Sequence, residues 1–267
     1  MKIQLLSTLK KYKKDYLKQD IFSGIIIAAV SIPISMGYAQ IAGLPPAYGL
    51  YGSILPILLF AIFSTSKQFI FGVDAAPAAL AGSALLSLGI VPGSEAALNY
   101  IPILALFTGL WLLFFYIIKA DRIVNFISTP VMGGFISGIS LTINYMQIPK
   151  LMGSSAGSGE IIELAEHIYA AGQDFHGLSL GLGLGTLLII RICKKWIPKF
   201  PIAILIMAAG VVSAVYFHVD AKGVVLLDSV GTGLPPFFIP DFSQVDLTQA
   251  VGRGLMISLV VMAETLL

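Results

Sequence analysis

The sequence predicts an all-α membrane protein, a polytopic bundle of helices, and three observations carry this prediction. Hydrophobic residues make up 57% of the 267-residue chain and charged residues only 11%, whereas soluble domains carry about 25% charged residues. The apolar residues come in blocks of about twenty, the length that crosses roughly 30 Å of hydrocarbon. The lysines and arginines cluster between alternate blocks, as they do in membrane proteins of fixed orientation.

A polar, lysine-rich lead occupies residues 1–20 and precedes a predicted transmembrane domain over residues 21–267. Its apolar segments are 21–43, 48–63, 69–89, 97–118, 123–148, 178–193, 200–218 and 247–267. Apolar residues at helical spacing also predict a short interfacial helix over 159–171. The last segment runs to Leu267 without a polar stop, so we expect the sequence to be a fragment of a longer chain.

The basic residues predict the orientation. With the N-terminus in the cytoplasm, all sixteen lysines and arginines fall on the inner side except Lys150, Lys222 and Arg253, and cytoplasmic loops carry an excess of both residue types. We therefore expect a multi-pass protein of the plasma membrane with a cytoplasmic N-terminus.

Two of the segments are predicted to be interrupted, the first of them at Pro33, because proline removes a helical hydrogen bond. Irregular backbone at membrane depth is tolerated only where it faces protein or a water-filled cavity. Tyr38 and Gln40 follow in the same segment and are candidates to line such a cavity. The alternative is a kinked structural helix whose serines bond back to their own turn.

The second interruption is predicted before Asp74, which suits an N-cap, and Pro77 suits the first turn of the helix that follows. A helix from about Ala75 to Leu88 is roughly 21 Å long, too short to cross the membrane. Its N-terminus, with Ala75 and Ala76, is therefore expected inside the bilayer, where transporters use such ends to hold anions. The alternative is that Asp74 caps the helix and nothing else binds there.

Glu264 lies in the apolar run 255–267. A carboxylate within a membrane segment is a candidate proton carrier or cation ligand, and a hydrogen-bonded structural acid is the alternative. The sequence contains no nucleophile–base pair, metal-ligand spacing or phosphate loop, so we expect neither an enzyme nor a resident cofactor or metal. The histidines are expected to be solvated: His167, His176 and His218.

Three motifs resemble the sulfate permease (SulP) family. The most specific is the run Gly43-Leu-Pro-Pro-Ala-Tyr-Gly-Leu-Tyr51. Phe126-Ile-Ser-Thr-Pro-Val-Met-Gly-Gly-Phe135 resembles the fifth span of the family, and Glu264-Thr-Leu-Leu267 resembles an acid-Ser-Leu-Leu motif in its eighth. The likeness covers essentially the whole chain, but only about the first half of the family's membrane domain.

The resemblance implies the first repeat of a seven-plus-seven inverted-repeat fold, one further span, and no STAS domain within this chain. It also implies a secondary transporter of sulfate, bicarbonate or dicarboxylates that works by alternating access and is coupled to H⁺ or Na⁺. Tyr38 would line the anion pocket, Asp74 and Ala75 would lie at the N-terminus of span three, and Glu264 would be the coupling acid. The chain departs from the family at Asp74, where many members carry a neutral residue.

Two alternatives to this function remain. One is a nucleobase-type permease of the same architecture, and the other is an inactive truncated scaffold or remnant. The expected partners are a small inorganic or organic anion and the lipid bilayer, with no nucleic acid. A homodimer of the full-length protein is compatible with the resemblance.

Overall fold

The computed structural model describes residues 12–64, 72–120, 129–154, 157, 161–196, 202–226, 233 and 238–266, and this part of the chain is helical without a β-strand. The helices are α1 (Leu17–Ile41), α2 (Pro46–Gly52), α3 (Leu55–Phe63), α4 (Ala75–Ser87), α5 (Glu95–Ile117), α6 (Thr129–Leu151), α7 (Ile161–Gln173), α8 (Gly177–Trp196), α9 (Ile202–Phe217) and α10 (Leu247–Leu266). Short 3₁₀ turns at Lys14–Tyr16 and Phe242–Gln244 precede α1 and α10.

Several helices are long and apolar enough to cross a membrane. The candidate spans are Lys14–Ile41, Pro46–Phe63, Glu95–Ile117, Gly177–Trp196 and Leu247–Thr265. Large apolar side chains point outward from them, with Phe22 66% exposed and Leu188 60% exposed. Contiguous apolar surface of this kind is unfavourable in water but is covered by hydrocarbon in a bilayer. The predicted helical membrane fold is confirmed.

Helix α1 runs without a break through Pro33, so the predicted interruption of the first segment is wrong. Proline costs the helix one backbone hydrogen bond, and the turns on either side keep theirs. The hydroxyl of Ser35 donates to the carbonyl oxygens of Ser31 and Ile32, at 2.7 and 3.0 Å. This is the bonding of a serine back to its own turn that was the alternative for this segment.

The second apolar segment, which the sequence presents as one span, is divided into α2 and α3. The turn lies at Ser53, whose amide donates to the carbonyl oxygens of Gly49 and Leu50 at 3.1 Å each. Pro56 occupies the first turn of α3, where a proline is tolerated because the amide it lacks would have no partner within the helix.

Two glycines bring α2 and α4 into close contact with α1. A Cβ atom on Gly49 would lie 2.0 Å from the carbonyl oxygen of Ser35, and one on Gly82 would lie 2.1 Å from that of Ile41. Any side chain at either position would therefore push two backbones apart. These crossings place the second half of α1 beside α4, which brings Tyr38 close to the start of α4.

Helices α4, α5 and α10 share one buried apolar core. Its buried members are Ala42, Ala81, Ala84, Leu85, Ala97, Tyr100, Ile103, Leu104, Ala250 and Ile257. Hydrogen bonds tie α5 to the start of α10: Trp111 Nε1 donates to the carbonyl oxygen of Val251 at 3.0 Å. The amide group of Asn99 exchanges two bonds with the backbone of Asp241, at 2.8 and 2.6 Å.

The predicted short helix at 159–171 is present as α7, which packs against α6 through Leu164 and Met146. His176, at the start of α8, is only partly exposed, and the prediction that it is solvated is wrong. Its Nδ1 accepts a hydrogen bond from the backbone amide of Ser179 at 3.3 Å, and its own amide donates to the carbonyl oxygen of Met152 at 2.8 Å. The imidazole acts as an N-cap, because the first amides of a helix need acceptors.

Candidate functional site

The N-terminus of α4 opens into a cavity of about 360 Å³. The cavity lies between α1, α4, α6 and α10, and it is open on one side. The residues that line it are Tyr38, Asp74, Ala75, Ala76, Ile136, Ile139, Ser140, Ile143, Asn144 and Glu264. It thus contains five of the six residues that the sequence singled out for substrate binding or coupling.

Asp74 ends an extended stretch and caps α4. Its backbone is extended (φ −123°, ψ 147°), and its Oδ1 accepts a hydrogen bond from the amide of Ala75 at 2.6 Å. The predicted start of a helix at Ala75 is confirmed, and the thirteen residues of α4 span about 20 Å. Part of the interruption predicted before Asp74 falls on residues 65–71, which lie outside the described residues.

The first turn of α4 has few amide groups to offer a ligand. The amide of Ala75 is bonded to Asp74, and Pro77 has none. The amide of Ala76 has no partner among the described residues around it, so it is the donor in this turn that remains for a ligand. The positive end of the helix dipole adds a partial charge of about half a unit at the same place.

Glu264 reaches the cavity from α10. Its Oε2 atom is buried and has no hydrogen-bond partner in the described part of the chain, and its side chain lines the same cavity as that of Asp74. Two carboxylates that face each other repel when both are charged. A single cation held between them removes that repulsion, so the pair is suited to binding a proton or a monovalent metal ion.

Tyr38 and Gln40 lie on different faces of α1. The side chain of Tyr38 lines the cavity together with Asp74. Gln40 lies outside the lining, and its Oε1 accepts a hydrogen bond from Lys150 Nζ at 2.8 Å. Residues two apart on an α-helix are separated by about 200° around its axis, which explains the difference. The cavity therefore gives no support to a role of Gln40 in substrate binding.

Helix α6 supplies polar groups that the sequence analysis did not identify. Ser140 donates to the carbonyl oxygen of Ile136 and Asn144 donates to that of Ser140, each at 2.8 Å. The carboxamide of Asn144 keeps a second N–H for the cavity. The signal was present, since Ile136, Ser140 and Asn144 recur every four residues within an apolar segment, which places them on one helix face.

The described residues contain no group of three His, Cys, Asp or Glu side chains that could hold a metal ion. The polar groups of the cavity are those of a small-ligand site: a helix N-terminus, a phenol, a carboxamide and two carboxyl groups.

A model of the sulfate permease family matches residues 17–267. A probable sulfate transporter of Mycobacterium tuberculosis is 27% identical over 262 residues, which are 97% of this chain and 46% of that protein. Sulfate transporter 4.1, chloroplastic, of Arabidopsis thaliana is 31% identical over 233 residues, 85% of this chain and 34% of that protein. The chain therefore spans less than half the length of these curated relatives, whose names describe them as sulfate transporters.

Solved structures agree on the fold. The structure of SLC26A9 matches 99% of this chain and 46% of its own with a TM-score of 0.81 at 19% identity. The transmembrane domain of the cyanobacterial bicarbonate transporter BicA matches 96% of this chain and 68% of its own with a TM-score of 0.76 at 18% identity. With the family model matching nearly the whole sequence, the chain belongs to the sulfate permease family.

Proposed function

We propose that the complete protein is a secondary active transporter of small anions and that the cavity at the start of α4 is part of its substrate site. One observation carries the proposal: the N-terminus of a helix too short to span the membrane opens into the same cavity as Glu264, a carboxyl group within an apolar helix. Relatives named as sulfate transporters and a fold neighbour named as a bicarbonate transporter favour inorganic anions as substrates.

The anion would be held by partial rather than full charges. The amide of Ala76, the dipole of α4 and the remaining N–H of Asn144 converge on the cavity. A helix N-terminus contributes about 0.3–2 kcal/mol to the binding of an anion. Asp74 opposes this contribution whenever it is ionised, which distinguishes the site from a simple anion-binding helix end.

Coupling would follow because the charge of Asp74 opposes the binding of the anion. When Asp74 and Glu264 hold one cation between them, the negative charge facing the anion falls by one unit and the anion can bind. The loaded site then carries both ions across the membrane together. A proton and Na⁺ both satisfy this scheme, because each neutralises one carboxylate, and the experiment below separates them.

Movement would occur between two groups of helices. Helices α4, α5 and α10 pack together through one buried core, and α6 packs with α7 and the end of α1 through a second. We propose that these groups move relative to one another so that the cavity faces the two sides of the membrane in turn. A cytoplasmic N-terminus and residence in the plasma membrane belong to the same proposal, and the distribution of basic residues supports the orientation.

The test is uptake by the purified complete gene product in proteoliposomes. Labelled sulfate, bicarbonate, a dicarboxylate and uracil are supplied under an imposed pH gradient or an imposed Na⁺ gradient. We expect one anion to accumulate against its gradient, driven by one of the two cations. Accumulation of uracil alone would favour the nucleobase permease, and no uptake of any compound would favour the inactive scaffold.

Glu264→Gln tests the coupling. The variant should reach the membrane in normal amounts and lose gradient-driven accumulation, because glutamine cannot be protonated or balance a cation's charge. Glu95→Gln is the matched control, since Glu95 is an exposed acid in the first turn of α5, outside the cavity. Normal coupling in Glu264→Gln would remove Glu264 from the mechanism.

A further inference from the structure

Arg253 is a charged residue within an apolar helix, and the proposed mechanism does not use it. It lies eleven positions before Glu264 in α10, which corresponds to about 16 Å along the helix axis. A charged side chain in an apolar membrane segment is expensive unless it has partners. Its partners therefore indicate what it does.

The guanidinium group of Arg253 binds the C-terminal turn of α4. Its Nη1 donates to the carbonyl oxygen of Ala84 and to Ser87 Oγ, the latter at 2.8 Å. Ala84 is one of the last four residues of α4, whose carbonyl groups lack amide partners within the helix. A positive charge there also faces the negative end of the helix dipole. Arg253 thus caps the C-terminal end of α4, as Asp74 caps its N-terminal end.

A polar chain holds this arginine in place. Its Nη2 donates to Gln249 Oε1 at 2.9 Å. Gln249 in turn donates through Nε2 to Asp246 Oδ2 at 3.1 Å, and Asp246 Oδ1 accepts from the backbone amides of Thr248 and Gln249 at 3.0 and 3.3 Å. These hydrogen bonds hold the pKa of Asp246 below its ordinary value, and the bond from the Gln249 backbone amide has the largest effect. The chain leads from the N-cap of α10 to the last turn of α4.

The two ends of α4 thus meet two points on α10. Arg253 contacts Ala84 at the C-terminal end, and Glu264 lines the same cavity as Asp74 at the N-terminal end, so the helices run antiparallel. The rise from Asp74 to Ala84 is about 15 Å and that from Arg253 to Glu264 about 16 Å. Because these lengths match, a contact at one end determines the axial register at the other.

We propose that Arg253 is a positioning residue that sets the register of α4 against α10, and so sets the position of Glu264 relative to Asp74 and the first turn of α4. The inference about register rests on contacts alone, and its consequence for transport rests on the proposed function. Removal of the guanidinium leaves Ser87 Oγ, at 3.0 Å, as the donor to the carbonyl oxygen of Ala84, and it breaks the hydrogen bonds that hold the last turn of α4 to α10. Helix α4 is then free to slide along α10.

The first experiment measures register without transport. Asp74→Cys and Glu264→Cys are combined in the complete protein, with Cys193 and any other cysteine replaced, and a short bifunctional thiol reagent links them. Adding Arg253→Met should lower the cross-linking rate about tenfold, the effect expected from losing a charge-assisted bond. Lys222→Met, which removes an exposed positive charge from the loop after α9, should leave the rate unchanged. An equal rate with and without Arg253→Met overturns the proposal.

The second experiment measures the KM of anion uptake in protein with the native Asp74 and Glu264. Arg253→Met should raise KM about tenfold, and Arg253→Lys, which keeps the charge, should restore it to within about threefold of the original. A role in stability alone predicts less folded protein with an unchanged KM, and that result overturns the consequence for transport. If Arg253→Met does not fold, Ser87→Ala and Gln249→Ala each remove one of the hydrogen bonds of Arg253 and should raise KM about threefold. An unchanged KM in both variants would also overturn the consequence for transport.

The two experiments separate the two claims. If the protein moves no anion but the cross-linking rate depends on Arg253, the register stands and the proposed function fails. If transport is normal and coupled through Glu264 while neither cross-linking nor KM responds to Arg253→Met, the proposed function stands and the positioning role fails.

Discussion

The crossing of α4 over α1 gives a prediction whose magnitude follows from the structure. In Gly82→Ala the new Cβ would lie 2.1 Å from the carbonyl oxygen of Ile41, whereas ordinary contacts begin near 3.4 Å. The obstacle is backbone, so the helices must separate by roughly 1 Å. Overpacking of this kind costs about 1–3 kcal/mol, and a rigid backbone contact belongs near the upper end of that range.

The helix propensity of alanine opposes this cost. Alanine is about 1 kcal/mol better than glycine within a helix, so the net loss of stability for Gly82→Ala is about 1–2 kcal/mol. At about 2–4 °C per kcal/mol, the melting temperature should fall by roughly 2–8 °C. Uptake should fall as well, because the same movement carries the start of α4 away from Tyr38.

The assay is thermal unfolding of the purified protein in detergent, followed by gel filtration of the folded fraction. Gly109→Ala is the matched control, because Gly109 is also helical and a Cβ there meets nothing within 4 Å. It should raise the melting temperature by a few degrees through propensity alone. A Gly82→Ala protein as stable as Gly109→Ala would refute the close crossing and the placement of α4 that depends on it.

Two further predictions concern the junction between α5 and α10. Asn99→Ala should cost about 1–3 kcal/mol, measured by the same unfolding assay, because it removes the two hydrogen bonds that the buried Asn99 side chain makes with the backbone of Asp241. Loss of stability no greater than in an exposed control such as Gln173→Ala would contradict this. Since the folded-state pKa of Asp246 is lowered from 3.8, its stabilising effect is complete above pH 3.8 and is lost as the pH falls through the lowered value. Asp246→Asn should therefore flatten the acid side of the plot of melting temperature against pH, and an unchanged slope would argue against the N-cap.

The main features of the site were predictable because each depends on a local rule. An acid that suits an N-cap, a proline three residues later and too few residues to cross a bilayer together define α4, whatever surrounds it. Glu264 was identified because a carboxyl group in an apolar run is rare. Tyr38 was identified for the wrong reason, since it was placed beside a helix break at Pro33 that the structure does not contain.

The remaining features depend on contacts between distant residues. The orientation count left Arg253 as an exception on the outer side, and no rule of spacing pairs it with Ala84, 169 residues away. The direction of Gln40 was not predicted because a list of nearby polar residues ignores the rotation of the helix. Asn144 was overlooked although its four-residue spacing from Ser140 lay in the sequence, because a single carboxamide in an apolar segment is a weaker signal than a charge.

The shortage of donors in the first turn of α4 bears on how long a substrate remains bound. Sulfate presents four oxygen atoms, yet Asp74 and Pro77 leave this turn with the amide of Ala76 to offer. Tight oxyanion sites surround their ligand with several amides, and a transporter that did so would release its cargo slowly. In the site that we propose, so few donors would favour brief occupancy by an anion that keeps part of its hydration shell, and brief occupancy would suit rapid turnover.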